Sequence, residues 1–475
     1  MQVRNPRNGQ YDYKLSIDSP NQVAQKAHDL RPAQALWDSK GIDHRVNILL
    51  EFASKLEERR DDIIDHLSID TGRKKISQIE FEGAIGLIKG RCFGSPKLIE
   101  EVPIRDSFSN PTVQIKQQRV PYQLVGVISP WNFPLLLALI DTVPALLAGC
   151  AVLLKPSEVT PRFIDPLEEI VNDISELSGV LKFVRGGADS GSALVDNVDV
   201  ICFTGSVATG QIIAINAAKN FIPAFLELGG KDPAIVMADA DLDVATDAVL
   251  RSAAGATGQA CQSLERIYVD EKIYNVFVEL LCNKVGKTTY NSNYEDGGTM
   301  GPLIFDKQAE KIEAQLREAT SKGAQIKTGG TVDKINGGSW MMPTVVIDVT
   351  HDMSLMTEET FGPVIPVMSY SDINEAIALA NDSVYGLSGS VFSKDIDKAV
   401  MVASQIEAGG MSINDGSLTN QVFDATKNSF KLSGLNGSRM GNDGFTRFFR
   451  TKALLIQTAH PKSIHSQDEE GLVNR

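Results

Sequence analysis

The chain has 475 residues, a length that calls for two or three domains rather than one small core. Its hydrophobic content of 43% and charged content of 22% are those of a globular protein and exclude a disordered or fibrous chain. A net charge of -14 repels phosphate backbones and offers no polybasic patch to anionic lipid, so neither nucleic acid nor a membrane is an expected partner.

Residues 1–18 are polar and lack the basic start and apolar run of a secretory signal. Over 21–92 apolar residues recur at helical spacing, first at Val23, Ala27, Leu30 and Ala33, then at Ile48, Phe52 and Leu56, then at Ile63, Ile64 and Leu67. Residues 112–118 alternate, with Val113 and Ile115 against Gln114 and Lys116, and predict a strand. From Tyr122 short apolar runs at 124–129, 151–155, 181–185, 198–203 and 224–228 alternate with helical stretches. That texture predicts a parallel, doubly wound α/β sheet with right-handed crossovers. The apolar stretch 135–154 is long enough for a membrane span, but Asp141, Pro144 and Gly149 interrupt it. It reads as a buried helix, a glycine stop and a buried strand.

A second α/β series follows, with strands at 266–269, 345–349, 364–368, 389–392 and 411–414 and helices at 307–322 and 373–381. No long linker separates the series, so two closely packed domains with a cleft between them are expected. A further strand at 453–457 stands, like 112–118, outside both series, and strands of this kind often pair between subunits. The polar tail 461–475 is expected to be loose. The five cysteines are scattered, with no C-x-x-C pair, and fit a reducing cytoplasm better than a disulfide framework. The six histidines form no ligand pair at helical spacing, and no metal is expected.

Six segments are candidates for chemistry. Glu227 ends an apolar strand and is followed by Gly229, Gly230 and Lys231, where an acid/base group or a solvated strand-end carboxylate would sit. Cys261 lies among Gly258, Gln259, Gln262 and Ser263 without apolar periodicity. That setting favours an exposed loop thiol over a core residue, and such a thiol needs a local field to become a strong nucleophile. The 130–134 turn fixes Asn132 between two prolines, as an oxyanion donor or as part of a structural aromatic turn. Gly205 and Ser206 end a strand before a helix and can present backbone N–H groups to a diphosphate, although the G-S-x-x-x-G spacing is not the dinucleotide fingerprint. Lys155, Ser157 and Glu158 close a buried strand, suited to ribose hydroxyls or to a helix cap. Glu359 and Phe361 precede a Gly-Pro turn, as a clamp for a sugar and a flat ring or as a loop entering a strand.

Together these segments resemble the NAD(P)-dependent aldehyde dehydrogenase superfamily in residue type, order and approximate separation, over about residues 20–415. The resemblance implies an aldehyde dehydrogenase-like α/β fold: two doubly wound α/β domains plus a small bridging β oligomerisation element, assembled as a homodimer or homotetramer. The implied cofactor-binding domain covers 1–105 and 122–229, the catalytic domain 230–425, the oligomerisation element 106–121 and 445–460, and the flexible tail 461–475. The implied activity is NAD(P)-dependent oxidation of a small-molecule aldehyde to a carboxylic acid. By motif, Cys261 is the nucleophile, Asn132 and the Cys261 backbone N–H hold the oxyanion, and Glu227 is the general base. Trp131, Lys155, Ser157, Glu158, Gly205, Ser206, Glu359 and Phe361 belong to the implied cofactor site, with Lys155 and Glu158 at the adenosine ribose. Glu158 would repel a 2′-phosphate and favours NAD, while Lys155 is compatible with NADP. Phe133, Leu136, Leu137 and Ile140 line the implied substrate tunnel; that aliphatic lining, with no Arg or Lys nearby, suits an apolar aldehyde.

Two features depart from the pattern. Many members carry a Lys nine residues after the Asn, where this chain has Asp141, and a Pro-Phe-Gly-Gly stretch where it has residues 430–437. Two other readings stand beside the hydrolytic enzyme: a CoA-acylating relative, which usually lacks the base at Glu227, and a non-catalytic binding or structural protein on the same fold.

Overall fold

The computed structural model describes residues 1–100, 102–293 and 297–467, so part of the tail expected to be loose, 468–475, lies outside the described residues. Four helices lead in, Pro20–Ser39, Ile42–Glu58, Arg60–Thr71 and Lys74–Gly94. The first begins at a full capping box, Ser19 with Gln22, and has Pro20 in its first turn, where a missing N–H costs nothing.

The first sheet has six strands in the order Gly434–Leu435, Ala224–Glu227, Val200–Thr204, Leu124–Ile128, Ala151–Lys155, Leu181–Phe183. The last five are parallel, as expected, and their apolar runs are buried on both faces. Chain order reverses between Val200–Thr204 and Leu124–Ile128, so a ligand crevice opens beyond their carboxyl ends. The stretch 135–154 divides as expected. The helix Pro134–Ala148 stops at Gly149, whose φ of 101° a side chain would resist, and the strand Ala151–Lys155 follows. Among the described residues no helix is long and apolar enough to cross a membrane.

The second sheet has seven strands in the order Gln325–Thr328, Thr344–Ile347, Val364–Tyr370, Leu264–Asp270, Asp232–Val236, Ser388–Phe392, Gly410–Ile413, all parallel except the first. The two sheets meet at residues 228–231, which carry the chain from the strand Ala224–Glu227 into the strand Asp232–Val236. The two outlying strands pair with each other inside one chain: Val113–Pro121 runs antiparallel to Phe449–Gln457 along nine residues, from Val113 opposite Gln457 to Pro121 opposite Phe449. This ribbon is exposed, and Phe449–Gln457 forms the open edge of its three-stranded sheet.

Candidate active site

The first sheet contributes carboxyl ends to the site. Beyond Leu124–Ile128 comes the turn carrying Trp131 and Asn132; beyond Val200–Thr204 come Gly205 and Ser206; Glu227 is the last residue of its strand. The second sheet contributes the opposite edge, because Cys261 lies in a turn just before the amino end of Leu264–Asp270. The Cys261 loop is held by its own chemistry. Ala256 and Thr257 have positive φ, at 52° and 60°, a strained pair shortly before Cys261, and Gly258 follows at 68° without strain. Gln259 is fully buried, and its side-chain oxygen accepts from the Ile304 N–H at 2.8 Å. Its backbone carbonyl accepts from Asn132 Nδ2 at 3.0 Å, which joins the Asn132 turn to the Cys261 loop and leaves the second amide hydrogen of Asn132 for another acceptor.

Cys261, Glu227 and Asn132 line one cavity of about 470 Å³. Phe133, Leu136, Leu137 and Ile140 line it too. Two expectations need correction. Cys261 is half-buried rather than an exposed loop thiol, and burial, aided by the charges of Glu359 and Asp232, pushes its thiol up to about 12, while Arg439 and Lys427 pull it down. The cavity is also not free of cations: Lys427 and Arg439 stand in its wall. Both come from segments distant in sequence that fold back beside Glu227, where Gly434 lies opposite Glu227 in an antiparallel pair. Ser429 Oγ donates to Glu227 Oε2 at 2.9 Å. Lys427 Nζ donates to Gln262 Oε1 at 3.0 Å.

Asp141, the departure from the common lysine, is buried between two arginines. Arg439 Nη2 donates to its Oδ2 at 2.7 Å and to Thr204 Oγ1 at 2.5 Å, and Arg447 Nη2 donates to Oδ1. Burial alone would raise the Asp141 carboxyl, but the two guanidiniums outweigh it and hold the group below its ordinary value.

A second cavity of about 130 Å³ shares Asn132, Leu137, Leu228 and Cys261 with the first and is lined by Trp131, Gly205, Ser206, Glu359 and Phe361. Phe361, at φ 52°, meets the Trp131 ring edge-on at 5.2 Å. Glu359 accepts from the Gly230 N–H at 3.1 Å, and burial with the neighbouring Glu265 charge pushes its carboxyl up to about 7. This end fits a dinucleotide. A Cβ on Gly205 would stand 2.5 Å from the Phe203 ring, and one on Gly229 would stand 2.6 Å from Glu359, so the backbone is kept bare. Ser206 caps the helix Val207–Lys219 by accepting from the Thr209 N–H, and a helix start of this kind suits an anion. Lys155, Ser157 and Glu158 do not line this cavity; they cluster at the end of the neighbouring strand, with Lys155 Nζ 3.2 Å from Glu158 Oε2 and Ser157 Oγ accepting from the Val159 N–H.

Sequence reasoning missed the residues that brace these loops. Arg73, buried at the junction of two helices, donates to the Ala256 carbonyl at 2.9 Å and to the Asn132 carbonyl. Glu265 accepts from Lys231 Nζ at 2.7 Å and from the Thr360 and Phe361 N–H groups, which fixes the loop of Glu359. Nothing local marked Glu265, which is flanked by Leu264 and Arg266.

The chain matches the model of the aldehyde dehydrogenase family over residues 1–454. It is 33% identical to the 4,4'-diapolycopene aldehyde oxidase of Methylomonas sp, over 99% of this chain and 85% of that protein. It is 32% identical to the lactaldehyde dehydrogenase of Escherichia coli, over 93% of this chain and 92% of that protein. Among solved structures, PutA from Anabaena variabilis superposes with a TM-score of 0.95 at 46% identity, covering 98% of this chain and 99% of that one. The betaine aldehyde dehydrogenase of Staphylococcus aureus in complex with NAD+ superposes with a TM-score of 0.92 at 31% identity, covering 98% and 92%.

Proposed function

This chain belongs to the aldehyde dehydrogenase family, and from that premise we propose that Cys261 is its nucleophile, Asn132 its oxyanion donor and Glu227 its general base. The enzyme oxidises an aldehyde to a carboxylic acid with NAD or NADP. The observation that carries the residue assignment is that one cavity holds all three side chains and shares Cys261 and Asn132 with the cavity suited to a dinucleotide.

The Cys261 thiolate adds to the aldehyde carbon and leaves a thiohemiacetal oxyanion. The free amide hydrogen of Asn132 and the Cys261 backbone N–H hold that oxyanion, where fixed donors stabilise developing charge without reorganisation. The chemistry supplied by bound NAD(P) is acceptance of the hydride from the tetrahedral carbon. Loss of hydride leaves a thioester on Cys261. Glu227 then takes a proton from water, the resulting hydroxide attacks the thioester carbon, and the carboxylic acid departs as the thiol is restored. Glu227, aimed into this cavity, favours hydrolysis over transfer to CoA.

Trp131, Gly205, Ser206, Glu359 and Phe361 hold the nicotinamide and diphosphate end, and Lys155, Ser157 and Glu158 the adenosine ribose. Residues 1–105 and 122–229 form the cofactor half, and 230–425 the catalytic half. The ribbon of 106–121 and 445–460 joins subunits as a dimer or tetramer, since its open edge exposes Leu455 beside unpaired backbone. Free cysteines throughout suit a reducing compartment, the cytoplasm. Kinetics over an aldehyde panel with NAD and with NADP, beside Cys261→Ala, tests the assignment: acid forms without CoA in the wild type and the variant is inactive. Full activity in the variant would remove Cys261 from the mechanism.

A further inference from the structure

We propose that Lys427 and Arg439 are positioning residues for the nucleophile, a buried cationic pair that is balanced when Cys261 becomes a thiolate. The inference rests on Cys261 being the nucleophile.

Three observations converge on it. Both cations stand in the wall of the cavity that holds Cys261 and Glu227. Lys427 Nζ is bonded to the side chain of Gln262, the residue next to Cys261, at 3.0 Å, and to the Thr419 carbonyl at 3.4 Å; both acceptors are neutral. Arg439 is buried, and among the described residues its Nε–H meets no acceptor, although its Nη2 is held by Asp141 and Thr204. A buried guanidinium with an unmet donor is costly unless a negative charge arrives to use it.

The charges around the sulfur leave room for one more anion. Lys427, Arg439 and Arg447 face Asp141 and Glu227, and Lys427 faces Asp232 as well; burial pulls the Lys427 ammonium below its ordinary value, against the pull of Glu227, Cys261 and Asp232. Arg73 adds a buried cation behind Asn132, near Glu80, which burial pushes up to about 7. Asp232 and Glu359 also face this sulfur and oppose its ionisation, and burial pushes their carboxyls up to about 8 and about 7, towards the neutral form. Asp141 carries one charge against two arginines, so that trio keeps a surplus positive charge beside the cavity. Asp141 anchors Arg439 there.

The test measures alkylation of Cys261 by iodoacetamide against pH in the full-length enzyme without cofactor or aldehyde, with the Cys261 peptide followed by mass spectrometry. An opposite charge 4–6 Å away moves such a midpoint by roughly 1–3 units. Lys427→Met is expected to raise the alkylation midpoint by about one unit, a roughly tenfold slower reaction on the rising limb. Lys427→Arg is expected to restore it. Arg439→Lys is expected to keep the midpoint and Arg439→Gln to raise it. Should Arg439→Gln not fold, the Lys427 pair still decides. An unchanged midpoint in Lys427→Met, with Cys261→Ala inactive, overturns the inference while leaving the nucleophile assignment intact. So does a rise confined to KM for carboxylate-bearing aldehydes, which would mean that the surplus charge serves a substrate anion.

Discussion

Ser429 Oγ donates to Glu227 Oε2 at 2.9 Å, across 202 positions of sequence. The bond exists because the strand Gly434–Leu435 runs antiparallel beside the end of Ala224–Glu227 and closes the turn that carries Ser429 onto the carboxylate. It fixes where Glu227 points before water arrives. A hydrogen bond to a charged group is worth about 1.5–3 kcal/mol. Ser429→Ala should therefore slow hydrolysis of the thioester by roughly tenfold to a hundredfold and leave the first turnover untouched. Rapid-mixing kinetics would show a burst of reduced cofactor followed by a slower steady state. Equal slowing of both phases would mean that Ser429 acts on an earlier step.

Removal of the base itself should be more severe. Glu227→Gln keeps the shape and an acceptor for Ser429 but cannot take a proton from water. A general base contributes roughly 10²–10⁴-fold. One equivalent of reduced cofactor per active site should appear at near wild-type rate, followed by a loss of that order in steady-state turnover. Intact-mass measurement should find the acyl group on Cys261.

Local signals located most of the scaffold and few of the partners across it. The strand Ala151–Lys155 was legible to the residue, because an apolar run is bounded by a helix-stopping Gly149 and by Pro156. The strand Asp232–Val236 was not, because an Asp-Pro start argues against a central strand. Here the register slips between Asp232 and Pro233, and the Asp232 carboxyl is buried against Ser388, which tolerates both residues. The sequence singled out Cys261, Glu227 and Asn132, which share one cavity, because glycines or prolines mark the turn or strand end that carries each. Lys427, Ser429 and Arg439 were not singled out. Their roles arise from a two-residue strand pairing far along the chain, and nothing periodic announces it.

Asp141 holds two arginines at once, so its loss should cost more than either partner's. Breaking a buried ion pair from one side typically costs about 3–5 kcal/mol. Asp141→Asn should lower the unfolding free energy obtained from urea titration by that order, and Arg447→Met by less, because Arg439 and Asp141 remain balanced. The sign with pH follows from the lowered carboxyl. Its contribution is present above the ordinary carboxylate range near ~3.9 and is lost as pH falls through the lower folded value. The gap between wild type and Asp141→Asn should thus be full at neutral pH and close in strong acid. A constant gap at all pH values would show that the charge of Asp141 is not what stabilises the fold.

Glu158 should set the choice of cofactor. It is partly exposed at the end of the strand Ala151–Lys155, with its carboxylate 3.2 Å from Lys155 Nζ. A ribose hydroxyl can donate to this carboxylate, whereas a 2′-phosphate would be repelled by it. Glu158→Ser removes the repulsion and frees Lys155 for the phosphate. The ratio of kcat/KM for NADP over NAD should rise by roughly tenfold or more, the scale of one modest charge interaction. Mutation of Lys155 to Met in the same background should reverse the gain, which separates a phosphate contact from general loosening of the turn.

Asp232 should impose an alkaline limit on stability. Burial pushes its carboxyl up to about 8, against bonds from Ser388 that favour the charged form. In the unfolded chain the group titrates near ~3.9. The folded state therefore binds the proton more tightly, and the resulting stability is complete below the unfolded value and declines as pH rises to about 8. Asp232→Asn stays neutral throughout. Its Oδ1 can accept from the Ser388 N–H, as Asp232 Oδ1 does at 3.1 Å, and its Nδ2 can donate to the Ser388 hydroxyl. Between pH 6 and 9 the melting temperature of the wild type should fall more than that of Asp232→Asn. A steeper fall in the variant would mean that Asp232 is ionised in the folded protein and that the Ser388 bonds outweigh burial.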